Sequence, residues 1–361
     1  MVITARSAST SNATPKTQDE EEETAQEIYQ KSLKLLQDPI LPVRAHGLLL
    51  LRQLVTPKPK FARSSKRSAT VTDPALVPAI LSIFLQSIQD EDSYIFLNAV
   101  QGLAGMVDGF GSQVLKGLLR DYSHGLETIQ SGSMTQQDLD VRIRIGEALS
   151  MVIIRCGTSL GKYGTRPILP ARRILTPCTA DILIPVLISV FRTRAIPVTL
   201  RTSALSLLAD AINTYPLVTL PYTEDLSQGM IDLVQVESRS TLVNPGKPAP
   251  QKMVAEEEDH KDGKAKSKHP GDNDHLSSDS TYPPLRRAAL HLLTLLIRVT
   301  MRAMEDGHHI LPFSGAFVRR AHITLGYIAS TDDDSIARVM AREVNEELTS
   351  FEAYVLGLEV P

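Results

Sequence analysis

A phrase of acidic turn, apolar-plus-Arg pair and apolar helix returns along this chain, and it restricts the fold more than any other feature. Its clearest copy is Asp38-Pro-Ile-Leu-Pro-Val-Arg-Ala-His-Gly-Leu-Leu-Leu-Leu-Arg-Gln-Leu-Val. Looser copies stand at Asp90-Glu-Asp-Ser-Tyr-Ile-Phe-Leu-Asn-Ala-Val-Gln-Gly-Leu and Asp138-Leu-Asp-Val-Arg-Ile-Arg-Ile-Gly-Glu-Ala-Leu. Further echoes are Pro197-Val-Thr-Leu-Arg, Pro284-Leu-Arg-Arg and Asp332-Asp-Asp-Ser-Ile-Ala-Arg. The first two steps are 52 residues (90 − 38) and 48 residues (138 − 90). A unit of this length holds one helical pair, which buries its apolar face only against its neighbours. The period therefore predicts a stack of pairs rather than a globule around one centre.

Aligning the second helices shows what repeats. Arg44, Arg142, Arg201 and Arg286 share one position. Small or apolar residues follow three and four places on (Gly47 and Leu48, Ile145 and Gly146, Ala204 and Leu205, Ala289 and Leu290), and a leucine follows at seven (Leu51, Leu149, Leu208, Leu293). That spacing is one face of a core-facing helix. Val43 precedes the first of these arginines; Asn98 and Gly102 belong to the second copy, where Phe96 replaces the Arg. A polar ladder through the arginines is expected to break at Phe96.

The pattern predicts six helix pairs. A first helix from Thr24 has Ile28, Leu33, Leu35 and Leu36 as its buried stripe, and Asp38-Pro39 ends it because the residue before proline resists α geometry. Its partner follows with Pro42 in the opening turn, where a missing N–H is tolerated. The remaining pairs are 74–89 with 93–107, 112–129 with 139–158, 180–193 with 197–214, 222–236 with 285–304, and 313–329 with 335–356. The acidic residues Asp38, Asp90-Glu91-Asp92 and Asp332-Asp333-Asp334 are read as caps of the helices that follow them.

Four regions follow from these limits. Residues 1–22 are an expected disordered leader, 23–237 hold repeats one to four and the opening of the fifth, 238–280 are a polar insertion, and 281–357 complete the repeats. Within the first repeat region, 56–73 forms a basic loop with Lys58, Lys60, Arg63, Lys66 and Arg67. A solvated linker is the simplest reading of that loop. The sharper one is a nuclear-targeting or partner-binding segment.

Composition narrows the chemistry. Aromatics are 5% of the chain and Trp is absent, which suits helices packed through Leu, Ile, Val and Ala. The net charge of −3 gives no general attraction to nucleic acid. Two cysteines, Cys156 and Cys178, cannot make a four-thiolate zinc site. The most apolar stretch, 285–304, is interrupted by four arginines and does not read as a membrane span. No nucleotide-binding loop, nucleophile elbow or metal-ligand spacing appears. Gly109-Phe-Gly-Ser lacks the third glycine of a dinucleotide fingerprint and reads as a helix-connecting turn, His308-His309 as an exposed loop, and His46 and His291 as hydrogen-bonded or half-exposed core-edge residues. No catalytic residue, cofactor or metal is expected.

The Asp38 and Asp90 phrases are more specific than a generic repeat. They resemble the family required for nuclear transport of RNA polymerase II, whose animal relatives are called transport and Golgi organisation protein 6. The Arg142 and Pro284 phrases fit the same C-terminal region. The resemblance spans roughly residues 24–355 and implies the C-terminal part of a longer HEAT-repeat protein. The fold expected is an all-α, HEAT/armadillo-like α-solenoid of about six antiparallel helix pairs. The function implied is a non-catalytic adaptor in RNA polymerase II assembly and nuclear import. Its implied partners are polymerase subunits, assembly chaperones and nuclear-pore or import factors, and its implied location is the cytoplasm with shuttling to the nucleus. The animal branch leaves a second reading, a cytosolic scaffold in membrane trafficking.

Overall fold

The computed structural model describes residues 24–56, 75–124, 126, 134–157, 179–239, 283–308 and 313–357. The described residues form helices and turns, with no strand among them. Among the described residues eleven α-helices follow one another: α1 (Ala25–Leu36), α2 (Leu41–Val55), α3 (Val77–Ser87), α4 (Ser93–Ser123), α5 (Gln136–Cys156), α6 (Thr179–Arg192), α7 (Val198–Thr214), α8 (Thr223–Arg239), α9 (Pro283–Glu305), α10 (Gly315–Thr331) and α11 (Ser335–Val355). Two 3-10 turns, Pro216–Val218 and Leu220–Tyr222, link α7 to α8.

Local chemistry sets the starts. Thr24 accepts from the Glu27 N–H while the Glu27 carboxylate accepts from the Thr24 N–H at 2.8 Å, a reciprocal cap that opens α1. Thr135, Ser314, Asp92 and Asp334 cap α5, α10, α4 and α11 in turn. Pro42 stands in the first turn of α2, where no partner is lost.

The helices stack in chain order. The second helices form one row, with α2 on α4, α4 on α5, α5 on α7, α7 on α9 and α9 on α11. The first helices form the other layer, in which α4 meets α6, α6 meets α8 and α8 meets α10. One apolar core runs between the layers, from Leu48 and Leu51 through Leu103, Leu149, Leu208 and Leu293 to Leu348. Each of these leucines is almost fully buried, as the i+7 reading requires. A ribbon of pairs, each leaning on the next, is the architecture of an α-solenoid.

One expectation fails in an instructive place. The helices expected at 93–107 and 112–129 are a single helix of 31 residues, α4, bent at Phe110 (φ −133°, ψ 21°). The turn expected at Gly109-Phe-Gly is therefore one non-helical residue. It lets the second helix of one repeat continue directly as the first helix of the next. The C-terminal part ends at Ser123, short of the expected 129. Helix α8 runs to Arg239, slightly past the expected start of the insertion, while the leader, the basic loop with Lys58, Lys60, Arg63, Lys66 and Arg67, and the rest of the insertion lie outside the described residues.

Small residues place the layers. A methyl group built on Gly102 would lie 2.3 Å from the Phe84 ring, and one on Gly47 would lie 3.0 Å from the Ser32 carbonyl oxygen. At Gly146 the nearest atom is the Ser203 hydroxyl at 3.1 Å. Of these three, Gly102 is the one where an added methyl would collide with a buried ring.

Candidate protein-binding surface

Polar ties between repeats follow the phrase. Arg44 forms an ion pair with Asp90, and Arg286 with Asp332 at 2.8 Å; both arginines reach an acid 46 residues further along. Arg287 adds a two-pronged pair with Asp334 at 2.6 and 2.7 Å. The acidic turns therefore divide their labour, which corrects the expectation that all their acids cap helices. The first acid, Asp90 or Asp332, reaches back to the preceding repeat's arginine. The later acid, Asp92 or Asp334, caps the next helix. Asp38 accepts from the Ile40 N–H at 2.8 Å, which shapes the turn, and α2 has no side-chain cap.

Where no acid stands at the matching position, the arginine finds carbonyl oxygens. Arg142 donates to the Tyr122 carbonyl at 2.6 Å and to that of His124. Arg201 donates to the Phe191 carbonyl at 2.9 Å and to Glu237 at 3.3 Å. Phe96, at the arginine's position in the second repeat, packs against the core. The step to the third repeat is made instead by Arg144, which donates to the Asp90 carbonyl at 2.6 Å. Asp90 thus joins three repeats.

Electrostatics of these ties differ with burial. At Arg286 and Asp332 the side chains are 1% and 2% exposed, and the arginine's Nε and Nη1 find no acceptor among the described residues. Such a pair is costly to break, because either partner alone would be an uncompensated buried charge. The Arg287 guanidinium holds the Asp334 carboxyl below its usual range against the opposing effect of burial. Burial raises Asp90, but the Asp92 N–H and the charges of Arg44 and Arg144 leave it net lowered. Arg44 and Asp90 are partly exposed and bind less strongly.

The remaining repeat residues are positioned without a reactive arrangement. Val43 is half-buried, and Asn98 donates within α4 to the Tyr94 carbonyl at 2.8 Å. Gly47, Gly102 and Gly146 lie at helix contacts, as above. His46, His291 and His308 are exposed, so the first two are not at the core's edge. Burial pushes the Cys156 thiol up to about 12, which suppresses the thiolate that would react. No group of three metal-ligating side chains occurs among the described residues, and no described helix is long and apolar enough to cross a membrane.

What the stack does present is a face. Five places after the shared arginine position, Leu49, Gln101, Glu147, Ser206, His291 and Glu343 are all exposed, one per repeat on the row of second helices. Leu97, Met151, Ile154 and Val339 are large apolar side chains exposed on the same helices. Side-chain ties cross this row from Arg52 to Gln101 at 2.7 Å, from Ser150 to Asp210 at 2.6 Å and from Arg298 to Glu347 at 2.6 Å. No side-chain hydrogen bond joins α7 to α9 among the described residues. A groove of about 600 Å³ opens beside that junction, lined by Ile212, Leu217, Leu295, Val299, Arg298 and Arg302. Open apolar surface with charged edges suits a protein segment better than a reacting small molecule. Sequence periodicity located the row but not the groove, which arises where α9 outruns α7 against the Pro216–Val218 turn.

The chain is similar to several solved structures, to a curated protein and, over its first repeats, to a family model. The structural neighbours include two engineered proteins, each 12% identical over 90% of this chain, with TM-scores of 0.32 and 0.25 and coverage of 97% and 71% of those chains. A designed armadillo repeat protein is 10% identical, with a TM-score of 0.32, over 89% of this chain and 99% of its own. Among curated proteins, the RNA polymerase II assembly factor rtp1 of Schizosaccharomyces pombe is 23% identical over 136 residues. That match takes in 37% of this chain and spans only 15% of the yeast protein. The Asp38, Asp90 and Arg142 phrases fall inside a segment, residues 29–159, that matches the family model described as required for nuclear transport of RNA pol II, C-terminus 1.

Proposed function

We propose that this chain is a protein-binding scaffold that acts in RNA polymerase II assembly and nuclear import. The observation that carries the reading is the family match at residues 29–159, which coincides with the helices that open the exposed second-helix row. The row supports binding rather than chemistry, since it offers one outward position per repeat and no convergent set of reactive side chains among the described residues. A partner laid along the row would touch several repeats at once, and its affinity would grow from many modest contacts. Polymerase subunits, assembly chaperones and import factors are the proposed partners, and the cytoplasm with passage to the nucleus is the proposed location.

Affinity purification of the full chain followed by protein identification tests the reading. Polymerase subunits are expected in the wild-type sample. They should be depleted when Leu49, Met151 and Ile154 are changed together to Glu, with helicity unaltered. Recovery of membrane-coat or tethering factors in place of polymerase subunits would overturn it.

A further inference from the structure

On the opposite layer, away from the second-helix row, a pocket of about 290 Å³ lies between the α6–α7 turn and α8. We propose that this pocket binds a carboxylate-rich peptide segment carrying an apolar residue, supplied by a partner protein. The inference deepens the protein-binding reading by giving a second surface and a chemistry to its ligand.

Three guanidinium groups, Arg192, Arg194 and Arg201, line the pocket, against one carboxylate, Asp232. That carboxylate is already held in an ion pair by Arg320 from α10. Arg201 is buried and matched by Glu237 and the Phe191 carbonyl. Arg192 uses one nitrogen on the Asp225 carbonyl oxygen at 2.6 Å, and its side chain meets no carboxylate within ion-pair distance among the described residues. Arg194 is exposed and has no side-chain partner among the described residues. Two cations thus face the opening with unused donors, and a carboxylate is the group that would satisfy both their charge and their forked geometry.

The floor supplies the apolar half of the specificity. Its accessible part is the half-buried Val236, set over the buried Phe191, Leu233 and Gly229. Glycine in a helix interior is destabilising by about 1 kcal/mol relative to alanine, so its presence in the middle of α8 needs a reason. The reason is space: a methyl group there would lie 2.8 Å from Arg192 Nε and 3.0 Å from the Phe191 ring. The missing side chain lets Arg192 lie across α8 beside the apolar floor. Phe191 is wholly buried beneath the pocket and offers no exposed ring on which a base could stack, which favours a peptide over single-stranded nucleic acid.

The test measures fluorescence anisotropy of a labelled synthetic peptide of alternating Glu and Leu against the purified full chain. Wild type is expected to bind, with affinity falling as salt rises. Arg194→Glu should weaken binding markedly, and Arg192→Glu/Arg194→Glu by about tenfold or more. Lys116→Glu, an exposed cation on α4 outside both the groove and the pocket, should leave it unchanged. Because Arg194 makes no contact that folding needs, its variant should melt as wild type does. Unchanged affinity in the Arg194 variants, loss in the Lys116 variant, no wild-type binding, or tighter binding of a single-stranded RNA of equal charge would each overturn the proposal. Peptide binding that survives while polymerase subunits are not recovered would refute the polymerase reading alone. The reverse outcome would refute this pocket alone.

Discussion

Replacing Gly102 by Ala isolates what the repeat phrase contributes to packing. Two effects oppose each other. Alanine is the better helix former by about 1 kcal/mol, because glycine loses more backbone entropy on folding. Against that, the new methyl group would lie 2.3 Å from one ring carbon of Phe84 and 2.5 and 2.7 Å from two more. Carbon atoms settle near 3.5–4.0 Å, so the overlap exceeds about 1 Å. Phe84 is fully buried and cannot swing into solvent, so α3 and α4 must separate or the ring must leave its preferred rotamer. Overpacking of this kind costs about 1–3 kcal/mol, with a clash this deep belonging at the upper end. The net expectation is destabilisation of about 1–2 kcal/mol. Urea unfolding followed by circular dichroism at 222 nm should show it as a lower midpoint. Gly326→Ala is the control, since α10 offers open space there, and it should stabilise by about 0.5–1 kcal/mol. Gly146→Ala should fall between, because the Ser203 hydroxyl can turn aside. In a Phe84→Leu background the Gly102→Ala penalty should shrink, so the double variant should lose less stability than the sum of the two single losses. A stabilised Gly102→Ala protein, or no coupling to Phe84, would refute the packing account.

The buried Arg286–Asp332 pair predicts that Asp332→Ala destabilises by about 3–5 kcal/mol, whereas Arg286→Met with Asp332→Leu recovers much of that loss; thermal melting of the three proteins checks it. Acid sensitivity should be shared by Asp334, whose folded-state carboxyl is held below its ordinary value by Arg287. A depressed carboxyl contributes stability that is complete above the unfolded value near pH ~3.9 and is lost as pH falls through the folded value. Asp334→Asn keeps a good helix cap but removes the titrating charge, so its stability should decline less steeply below about pH 4 than that of wild type. Equal steepness in the two profiles would remove Asp334 from the acid response.

Much of the fold was legible because its stabilising contacts are local in register. A leucine seven residues after each arginine needs only helical geometry to find the core, and Leu51, Leu149, Leu208 and Leu293 all do. Capping was legible in kind but not in assignment. Sequence shows an Asp-x-Asp run, and only the neighbouring repeat decides that Asp90 and Asp332 turn back to an arginine, that Asp92 stays with its helix and that Asp334 does both. The α4 fusion was illegible for a related reason. Gly109, Phe110 and Gly111 permit either a turn or a bend, and the contacts of α4 with α2, α3 and α5 select the bend. The arginine pocket was missed entirely, as its members come from three helices and a turn, with no motif linking them.

The chain's own order of residues determined that helices form, where most of them begin, and that each pair needs a neighbour, since these follow from backbone capping and the 3.6-residue period. Tertiary structure alone decided which charges meet, where glycine is indispensable, and where the stack opens into a groove or a cationic pocket. Those outcomes depend on distances between segments some tens of residues apart. Such distances are set by how whole helices settle against one another, and no local preference encodes them.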